Sequence, residues 1–240
     1  MANKFYEAGE KRAEKVNDLF ATIAPRYDLI NDLQSFGLHR YWKRKLIKLA
    51  HVKPGEKALD LCCGTGDVAF ALVEQGAEVL GVDFSGPMLS VAKQRQERDG
   101  VKNVEFVRGD ALKLPAEDSS VDVLTISYGL RNLSDFEGGL KEMLRVLKPG
   151  GRLLVLDFGI PDNRLWRFGY FQYLKWFVPV FGRLFCGDSD THAYILKSLQ
   201  HYPAQRGVEK LMHKLGCQEV QVVNLLGGVM GINYGIKAER

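Results

Sequence analysis

The spacing of apolar residues divides the chain into a helical N-terminal part and a longer part in which strands and helices alternate. Apolar side chains recur at helical spacing over residues 5–24, where Pro25 ends the pattern, and again over residues 37–50. From Lys57 onward, short apolar runs alternate with amphipathic stretches, and this alternation predicts a parallel sheet with helices on both faces. The five predicted strands are 57–63, 77–84, 104–110, 121–129 and 152–158.

The pattern changes after the fifth strand. Residues 164–185 are rich in aromatic side chains and predict irregular structure, whereas residues 204–216 return to helical spacing. Two further apolar runs meet at Gly227 and Gly228, which predicts a C-terminal β-hairpin. We therefore expect a seven-stranded, mostly parallel α/β sheet with an antiparallel end. The expected division is an N-terminal helical lid over 1–53 and a main domain over 54–240, with an aromatic insertion at about 160–203.

Charge and cysteine content narrow the class of protein. The 240 residues carry a formal net charge of +4, and residues 1–53, with eleven Lys or Arg and six Asp or Glu, account for the whole excess. This predicts either a solvated helix face or attraction to an anionic partner, such as lipid headgroups or nucleic acid. The four cysteines lack the spacing of a disulfide framework or a metal site. They therefore predict no bound metal and fit a reducing compartment, and the expected location is cytoplasmic. The chain has no apolar signal core and no run of ~20 apolar residues, so we expect neither secretion nor a membrane span.

A glycine-rich loop follows the first predicted strand in "DLCCGTGD" (60–67). Gly64 and Gly66, on either side of Thr65, permit a tight turn with backbone close to a ligand, a pattern that dinucleotide-binding loops share. Asp60 distinguishes a dinucleotide from a ligand without phosphate groups. A carboxylate repels a pyrophosphate but attracts a ligand with a cationic amino group. The loop therefore favours S-adenosylmethionine as the cofactor.

Further polar residues stand at the ends of the next predicted strands. Asp83 is expected to accept both ribose hydroxyls, and Asp110 to accept the exocyclic amine of adenine, with the N–H of Ala111 addressing a ring nitrogen. Ser127 ends the fourth strand, where it can line the pocket. Each carboxylate alone could be a loop residue or a helix cap. Three at successive strand ends predict a ligand site, because open α/β sheets bind ligands there.

These motifs, together with "RVLKPGG" (145–151), resemble a Rossmann-like class I S-adenosylmethionine-dependent methyltransferase. The segments "YDLINDLQSFGLHRYW" (27–42) and "SYGLRNLSDF" (127–136) resemble the family that C-methylates ubiquinone and menaquinone precursors, and the resemblance covers nearly the whole chain. Ile30 stands where that family usually has Met, and "LDF" (156–158) with Gly159 replaces the usual Leu-Glu-x-Ser. The implied activity is methylation of a polyprenylated quinol, demethylmenaquinol or the equivalent benzoquinol.

The same resemblance implies the residues that face the substrate ring. Arg131 and Asn132 follow the fourth strand, and Arg131, which is a poor base, is expected to stabilise a developing phenolate. Tyr27 and His39 are candidate hydrogen-bond partners, and His39 has an ordinary pKa near neutrality. Two alternatives stay open: a salt bridge between Arg131 and Asp135, and a purely structural His39.

The first lid segment and the aromatic insertion complete the expected substrate site. The segment 27–42 is expected to fold back over the cofactor and shut water out. The aromatic run carries Arg164, Arg167, Lys175 and Arg183 but no carboxylate, which suits a membrane surface or an isoprenoid channel at the inner face of the membrane. A helix buried against the core is the alternative, and a homo-oligomer is compatible with the sequence.

Three other functions were weighed against methylation of a quinol. A methyltransferase acting on another lipid or small molecule would share the same core. A nucleic-acid-binding module is disfavoured, because the aromatic residues cluster with bulky aliphatic ones rather than along a basic groove. An NAD-linked oxidoreductase is disfavoured by Asp60.

Overall fold

The N-terminal part of the chain is helical in a computed structural model that describes residues 12–180, 183 and 190–239. Helix α1 ends at a 3-10 turn, Ala24–Arg26, that contains Pro25, as the sequence predicts. Between the next two helices, Phe36 and Gly37 both have positive φ and reverse the chain direction. The bounds are α1 Arg12–Ile23, α2 Tyr27–Ser35 and α3 Leu38–Ala50.

The main part of the chain contains seven strands. The first unit consists of β1 Lys57–Leu61, α4 Asp67–Glu74, β2 Glu78–Asp83, α5 Gly86–Asp99 and β3 Val104–Arg108. It is followed by β4 Val121–Ser127, a 3-10 turn Leu130–Asn132, α6 Phe136–Val146 and β5 Leu147–Phe158. The remaining elements are α7 Arg164–Gln172, a π-helical segment Tyr173–Phe177, α8 Asp190–His201, α9 Ala204–Lys214, β6 Gln218–Leu225 and β7 Met230–Ile236.

The sheet has the order β3-β2-β1-β4-β5-β7-β6. Strands β1 to β5 are parallel, and β7 is antiparallel to both β5 and β6. This confirms the predicted fold class. The strand order reverses between β1 and β4, and a crevice for a ligand forms at such a switch point. Strand β5 begins earlier than predicted, because Leu147 pairs with Val121 before a register shift that takes up the "KPGG" residues.

Apolar side chains are buried on both faces of the sheet. One cluster joins Leu124 and Leu153 of the sheet to Leu140 and Met143 of α6. The opposite cluster joins Leu154 to Leu72 of α4 and also contains Trp42, Leu46 and Ala50 of α3. Helix α3 therefore packs into the main core, and the division at residue 53 stays a prediction.

Residues 164–180 of the aromatic insertion are helical, so the prediction of irregular structure was wrong there. Tyr170, Leu174 and Val178 recur every four residues and are buried in the core. Four aromatic side chains on other positions are exposed, Trp166, Phe168, Trp176 and Phe177, and this two-sided character hides the helical period. Phe181 and Phe185 lie outside the described residues. Within the described ranges, no helix has the length and apolar character needed to cross a bilayer.

Candidate active site

Two cavities open near the carboxyl ends of the parallel strands. The smaller cavity has a volume of about 100 Å³, and the larger one has a volume of about 440 Å³. The predicted residues in the wall of the smaller cavity are Gly64, Asp83, Asp110, Ala111, Ser127 and Asn132. Those in the wall of the larger cavity are His39 and Arg131, and Tyr27 lines both. The fold therefore brings residues from distant parts of the sequence to two adjoining spaces.

The glycine loop needs glycine at two positions. Gly64 and Gly66 have φ of +55° and +90°, in the left-handed region that residues with a Cβ rarely adopt. A Cβ added to Gly66 would lie 2.8 Å from a ring carbon of Phe70. Asp83 holds the loop against the end of β2, because its two carboxylate oxygens accept the N–H groups of Gly64 and Ser85, each at 2.8 Å.

The remaining polar groups of the smaller cavity are arranged to contact a ligand. Burial raises the pKa of Asp83 above its usual range, and each of its oxygens has a further lone pair available for a hydroxyl donor. Asp110 is exposed, and one of its oxygens accepts the N–H of Leu112 at 2.9 Å. The buried hydroxyls of Ser85 and Ser127 have no hydrogen-bond partner among the described residues. A buried hydroxyl without a partner costs free energy, which a bound ligand can recover.

Asp60, which is expected to attract the cationic group of the cofactor, is not among the described residues that line the smaller cavity. Its side chain is 1% exposed at the end of β1, and one oxygen accepts the Thr125 hydroxyl at 2.7 Å. The other oxygen has no partner in the described part of the chain. Burial raises the pKa of Asp60 to about 7. A cation bound in the smaller cavity would therefore act on the ionisation of Asp60 without direct contact.

The larger cavity lies between the lid helices and the aromatic insertion. Its wall is predominantly apolar and includes Ile30 and Trp42 from the lid and Tyr170 and Leu174 from the insertion. Four side chains that line it are exposed at the molecular surface, so they form the rim of its mouth: Phe36, Leu38, Trp166 and Leu226. This apolar space suits a hydrophobic ligand with a small number of polar contacts.

Three aromatic residues, Phe20, Tyr27 and Tyr128, line both cavities and mark where they adjoin. The sequence did not lead us to Tyr128, although it directly follows Ser127 at the end of a strand. Tyr128 has a φ of +58°, and its buried hydroxyl has no hydrogen-bond partner among the described residues. Burial raises its pKa well above the usual range. Backbone strain of this kind is found at functional sites.

Arg131 lies in the wall of the larger cavity and is 5% exposed. Its guanidinium donates to the Asp157 carboxylate at 2.8 Å and to the Tyr128 carbonyl at 2.7 Å. The backbone N–H of Arg131 also donates to Asp157, at 3.0 Å. Asp157, the acidic residue of the "LDF" segment, is thus the ion-pair partner. Asp135, the alternative, caps α6 by accepting the N–H of Gly138.

Asn132 and His39 differ from the expected arrangement. The Asn132 amide donates to the Tyr128 carbonyl at 3.2 Å, and its side chain faces the smaller cavity rather than the larger one. His39 is 3% exposed. Burial, and then the positive charge of Lys43, lower its pKa to about 4, so its imidazole is neutral at physiological pH. His39 therefore differs from a free histidine, whose pKa lies near neutrality.

A polar network joins the lid to the glycine loop. The Thr65 hydroxyl donates to the Asp28 carboxylate at 3.0 Å, and Arg95 donates to the Thr65 carbonyl at 3.0 Å. Asp67 forms ion pairs with Arg95 at 2.7 Å and with Lys43 at 2.9 Å. Burial alone would raise the pKa of Asp67, but these two cations lower it to about 2. The first lid segment therefore lies against the loop, and Thr65 serves the network rather than a cavity wall.

The smaller cavity fits S-adenosylmethionine on three structural grounds. Its loop requires glycine, carboxylates stand at two strand ends, and two buried hydroxyls lack partners. The carboxylate of Asp60 adds an unpaired oxygen nearby in sequence. Among the described residues, no group of His, Cys, Asp and Glu side chains has the arrangement of a metal site.

Asp60 should make the stability of the protein fall as pH rises towards neutrality. The folded chain holds the carboxyl proton up to about pH 7, whereas the ordinary pKa is 3.8, so the stability that this proton contributes is lost as pH rises through 7. Asp60→Asn, which keeps the acceptor for Thr125, should remove this loss. Between pH 5 and pH 8, the free energy of unfolding of the wild type should fall by roughly 2–3 kcal/mol more than that of the variant. Urea titration at both pH values measures the free energy of unfolding. An equal fall in the wild type and the variant would contradict the raised pKa of Asp60.

The comparison of the chain with solved structures supports the fold. A SAM-dependent methyltransferase from Aquifex aeolicus superposes with a TM-score of 0.60 at 20% identity, covering 82% of this chain and 89% of that one. Phosphoethanolamine N-methyltransferase 2 from Haemonchus contortus, in complex with S-adenosyl-L-methionine, has a TM-score of 0.60 at 19% identity and covers 82% of this chain and 52% of that one. At these identities the likeness shows the shared fold.

Sequence comparison is more specific. Demethylmenaquinone methyltransferases from Bacillus cereus and Bacillus anthracis are each 40% identical to this chain, over 96% of this chain and 98% of the relative. The model of the ubiE/COQ5 methyltransferase family matches residues 8–237. This confirms the resemblance that the sequence motifs indicate, and the chain belongs to the ubiE/COQ5 methyltransferase family.

Proposed function

We propose that this methyltransferase transfers the methyl group of S-adenosylmethionine to a ring carbon of a polyprenylated quinol, with demethylmenaquinol as the acceptor. The observation that carries the proposal is the pair of adjoining cavities, a small one rich in polar groups and a large apolar one, with Tyr27 and Tyr128 in both walls. The names of the relatives at 40% identity support this acceptor. S-adenosylmethionine, when bound, supplies an electrophilic methyl group.

The smaller cavity would hold the cofactor. Asp83 would accept the ribose hydroxyls, and Asp110 with the N–H of Ala111 would address the adenine. Ser127 and the backbone of Gly64 would contact the remainder of the molecule. The cationic end of the cofactor would favour the ionised form of Asp60, whose pKa burial raises to about 7, because opposite charges interact strongly where water is excluded.

The larger cavity would hold the quinol ring and the first part of its tail. A ring seated beside Tyr27 and Tyr128 would have its reacting carbon at the junction of the cavities, and the tail would leave through the apolar mouth. The positive charge of Arg131 would stabilise the phenolate character that develops on a ring oxygen. Asn132, which donates to the Tyr128 carbonyl, would hold Tyr128 in its strained conformation. Tyr27 would orient a ring hydroxyl.

The mouth of the larger cavity adjoins a surface that would rest on a lipid bilayer. We call it the aromatic face, and it consists of Leu165, Trp166, Phe168, Trp176 and Phe177, with Arg164 and Lys175. Trp176 and Phe177 are each 62% exposed, and the Lys175 ammonium lies 5.0 Å from the Trp176 ring centroid. Exposed aromatics beside cations are typical of segments that lie in a membrane interface. Peripheral contact at the inner face of the membrane would let the enzyme collect its substrate from the bilayer.

The acceptor is tested with methyl-labelled S-adenosylmethionine. Demethylmenaquinol, kept reduced, should gain label on a ring carbon, and the matching demethoxy benzoquinol tests the other branch of the family. Oxidised demethylmenaquinone is the control and should gain no label, because it lacks the hydroxyl that donates electron density to the ring carbon. Absence of label in both quinols, with label in another lipid, would contradict the proposal.

Removal of the Arg131 charge should slow turnover without weakening cofactor binding. Substitution of Arg131 alone would leave Asp157 buried without its partner and destabilise the fold, so the test uses the paired variant Arg131→Gln/Asp157→Asn. We expect turnover to fall by about 100-fold, because one electrostatic contact to a developing oxyanion has this effect. Calorimetry should give an unchanged affinity for S-adenosylmethionine. Turnover within twofold of the wild type would exclude the role.

Binding to lipid vesicles should depend on the aromatic face. Trp176→Ser/Phe177→Ser should reduce co-sedimentation with anionic vesicles by about tenfold, because two large exposed apolar side chains are lost. Leu112→Ser is the matched control, since it removes an exposed apolar residue that follows β3, outside the aromatic face. Equal sedimentation of the wild type and the double variant would remove this face from the proposal.

A further inference from the structure

We propose that Ser35 fixes the proton of His39 on Nδ1, so that Nε2 of His39 accepts the proton of the substrate hydroxyl during methyl transfer. The inference rests on the proposed function and identifies the group in the same site that takes the proton. It follows from the hydrogen bonds around Ser35 and from the composition of the larger cavity.

The hydrogen bonds of Ser35 determine the tautomer of His39. The Ser35 hydroxyl has a single proton, and its oxygen lies 2.6 Å from the Asn31 carbonyl oxygen, which can only accept. Ser35 therefore donates to Asn31. The His39 Nδ1 atom lies 3.0 Å from the same hydroxyl oxygen and must be the donor of that contact. The Asp32 carboxylate, 3.6 Å from Nδ1, also favours a proton there.

This arrangement leaves Nε2 as an unprotonated acceptor on a side chain that lines the larger cavity. The other titratable side chains described in that wall are tyrosines and Arg131. Burial raises the pKa of all four tyrosines in the wall, Tyr27, Tyr128, Tyr170 and Tyr173, so they stay protonated, and arginine has no acceptor. Of the described residues that line the larger cavity, none is a carboxylate. His39 is therefore the titratable side chain in this wall that offers an unprotonated acceptor to the substrate hydroxyl.

The proton transfer balances with formation of the new carbon–carbon bond. As the ring carbon bonds to the methyl group, the electron pair of the adjacent O–H bond moves towards the ring, the oxygen becomes a carbonyl and the proton passes to Nε2. The electron pair of the sulfur–methyl bond stays on sulfur. The ring carbon then releases its own hydrogen as a proton, the carbonyl oxygen regains a proton from His39, and the aromatic ring is restored. The reaction releases one proton for each methyl group transferred.

The charged groups around His39 favour return of this proton. Lys43 and Arg40 lie on the same helix, Asp32 faces His39 from α2, and Asp67 faces it from α4. Burial and Lys43 together outweigh the two carboxylates and lower the pKa of His39 to about 4. A protonated His39 would therefore be short-lived, which suits a group that must be neutral again before the next turnover.

Nitrogen-15 NMR of the full-length protein labelled at its five histidines tests the tautomer directly. We expect the His39 signals at pH 7 to show a protonated Nδ1 and an unprotonated Nε2. These signals are assigned by their absence from the spectrum of His39→Gln, or by assigning the other four histidines first. In Ser35→Ala the signals should shift towards the opposite tautomer, and Ser35→Thr, which keeps a hydroxyl, should restore them. A proton on Nε2 in the wild type would overturn the inference.

Kinetics tests the proton transfer itself. His39→Gln should reduce kcat by about 100-fold, as expected for loss of a positioned base, with the affinity for S-adenosylmethionine unchanged. Ser35→Ala should reduce kcat by about tenfold, and Ser35→Thr should recover it. The control His213→Gln changes an exposed histidine on α9 and should leave kcat unchanged. If the proposed function is wrong, the wild type will not label the quinol. If only this inference is wrong, His39→Gln will label the quinol at the wild-type rate.

Discussion

Transfer of a methyl group to a ring carbon requires the donor and the acceptor to meet in line at close range, because correct positioning supplies much of the rate. In this fold, the donor and the acceptor would meet where the two cavities adjoin. Tyr27 comes from the lid and Tyr128 from the end of β4, and both stand in both walls. The position of the lid on the sheet therefore decides whether the two ligands could meet.

That position depends on a polar contact between parts of the chain that are distant in sequence. The Thr65 hydroxyl donates to Asp28, and Arg95 binds both Asp28 and the Thr65 carbonyl. The glycine loop and the first lid segment are thus ordered by the same groups. A ligand that orders the loop would also order the wall of the neighbouring cavity. The lid would therefore contribute to binding of both the cofactor and the quinol.

The sequence predicts the sheet, because alternation of strands and helices dictates a parallel sheet, and it predicts which residues stand at one edge, because parallel strands end there. Gly64, Asp83, Asp110 and Ser127 reach the smaller cavity for that reason. It could not predict the burial of Asp60, since burial depends on which side chains pack above a strand. The pairing of Arg131 with Asp157, 26 positions apart, and the low pKa of His39 likewise arise from tertiary packing.

The arrangement of the two ligands across one junction is the central claim, and a crystal structure of the ternary complex tests it most directly. Crystals would be grown with S-adenosylhomocysteine and a short-tailed demethylmenaquinol. The adenosyl group should occupy the smaller cavity beside Asp83, and the ring should lie in the larger cavity with its unmethylated carbon facing the sulfur between Tyr27 and Tyr128. A ring bound elsewhere, or turned so that this carbon points away from the sulfur, would contradict the account.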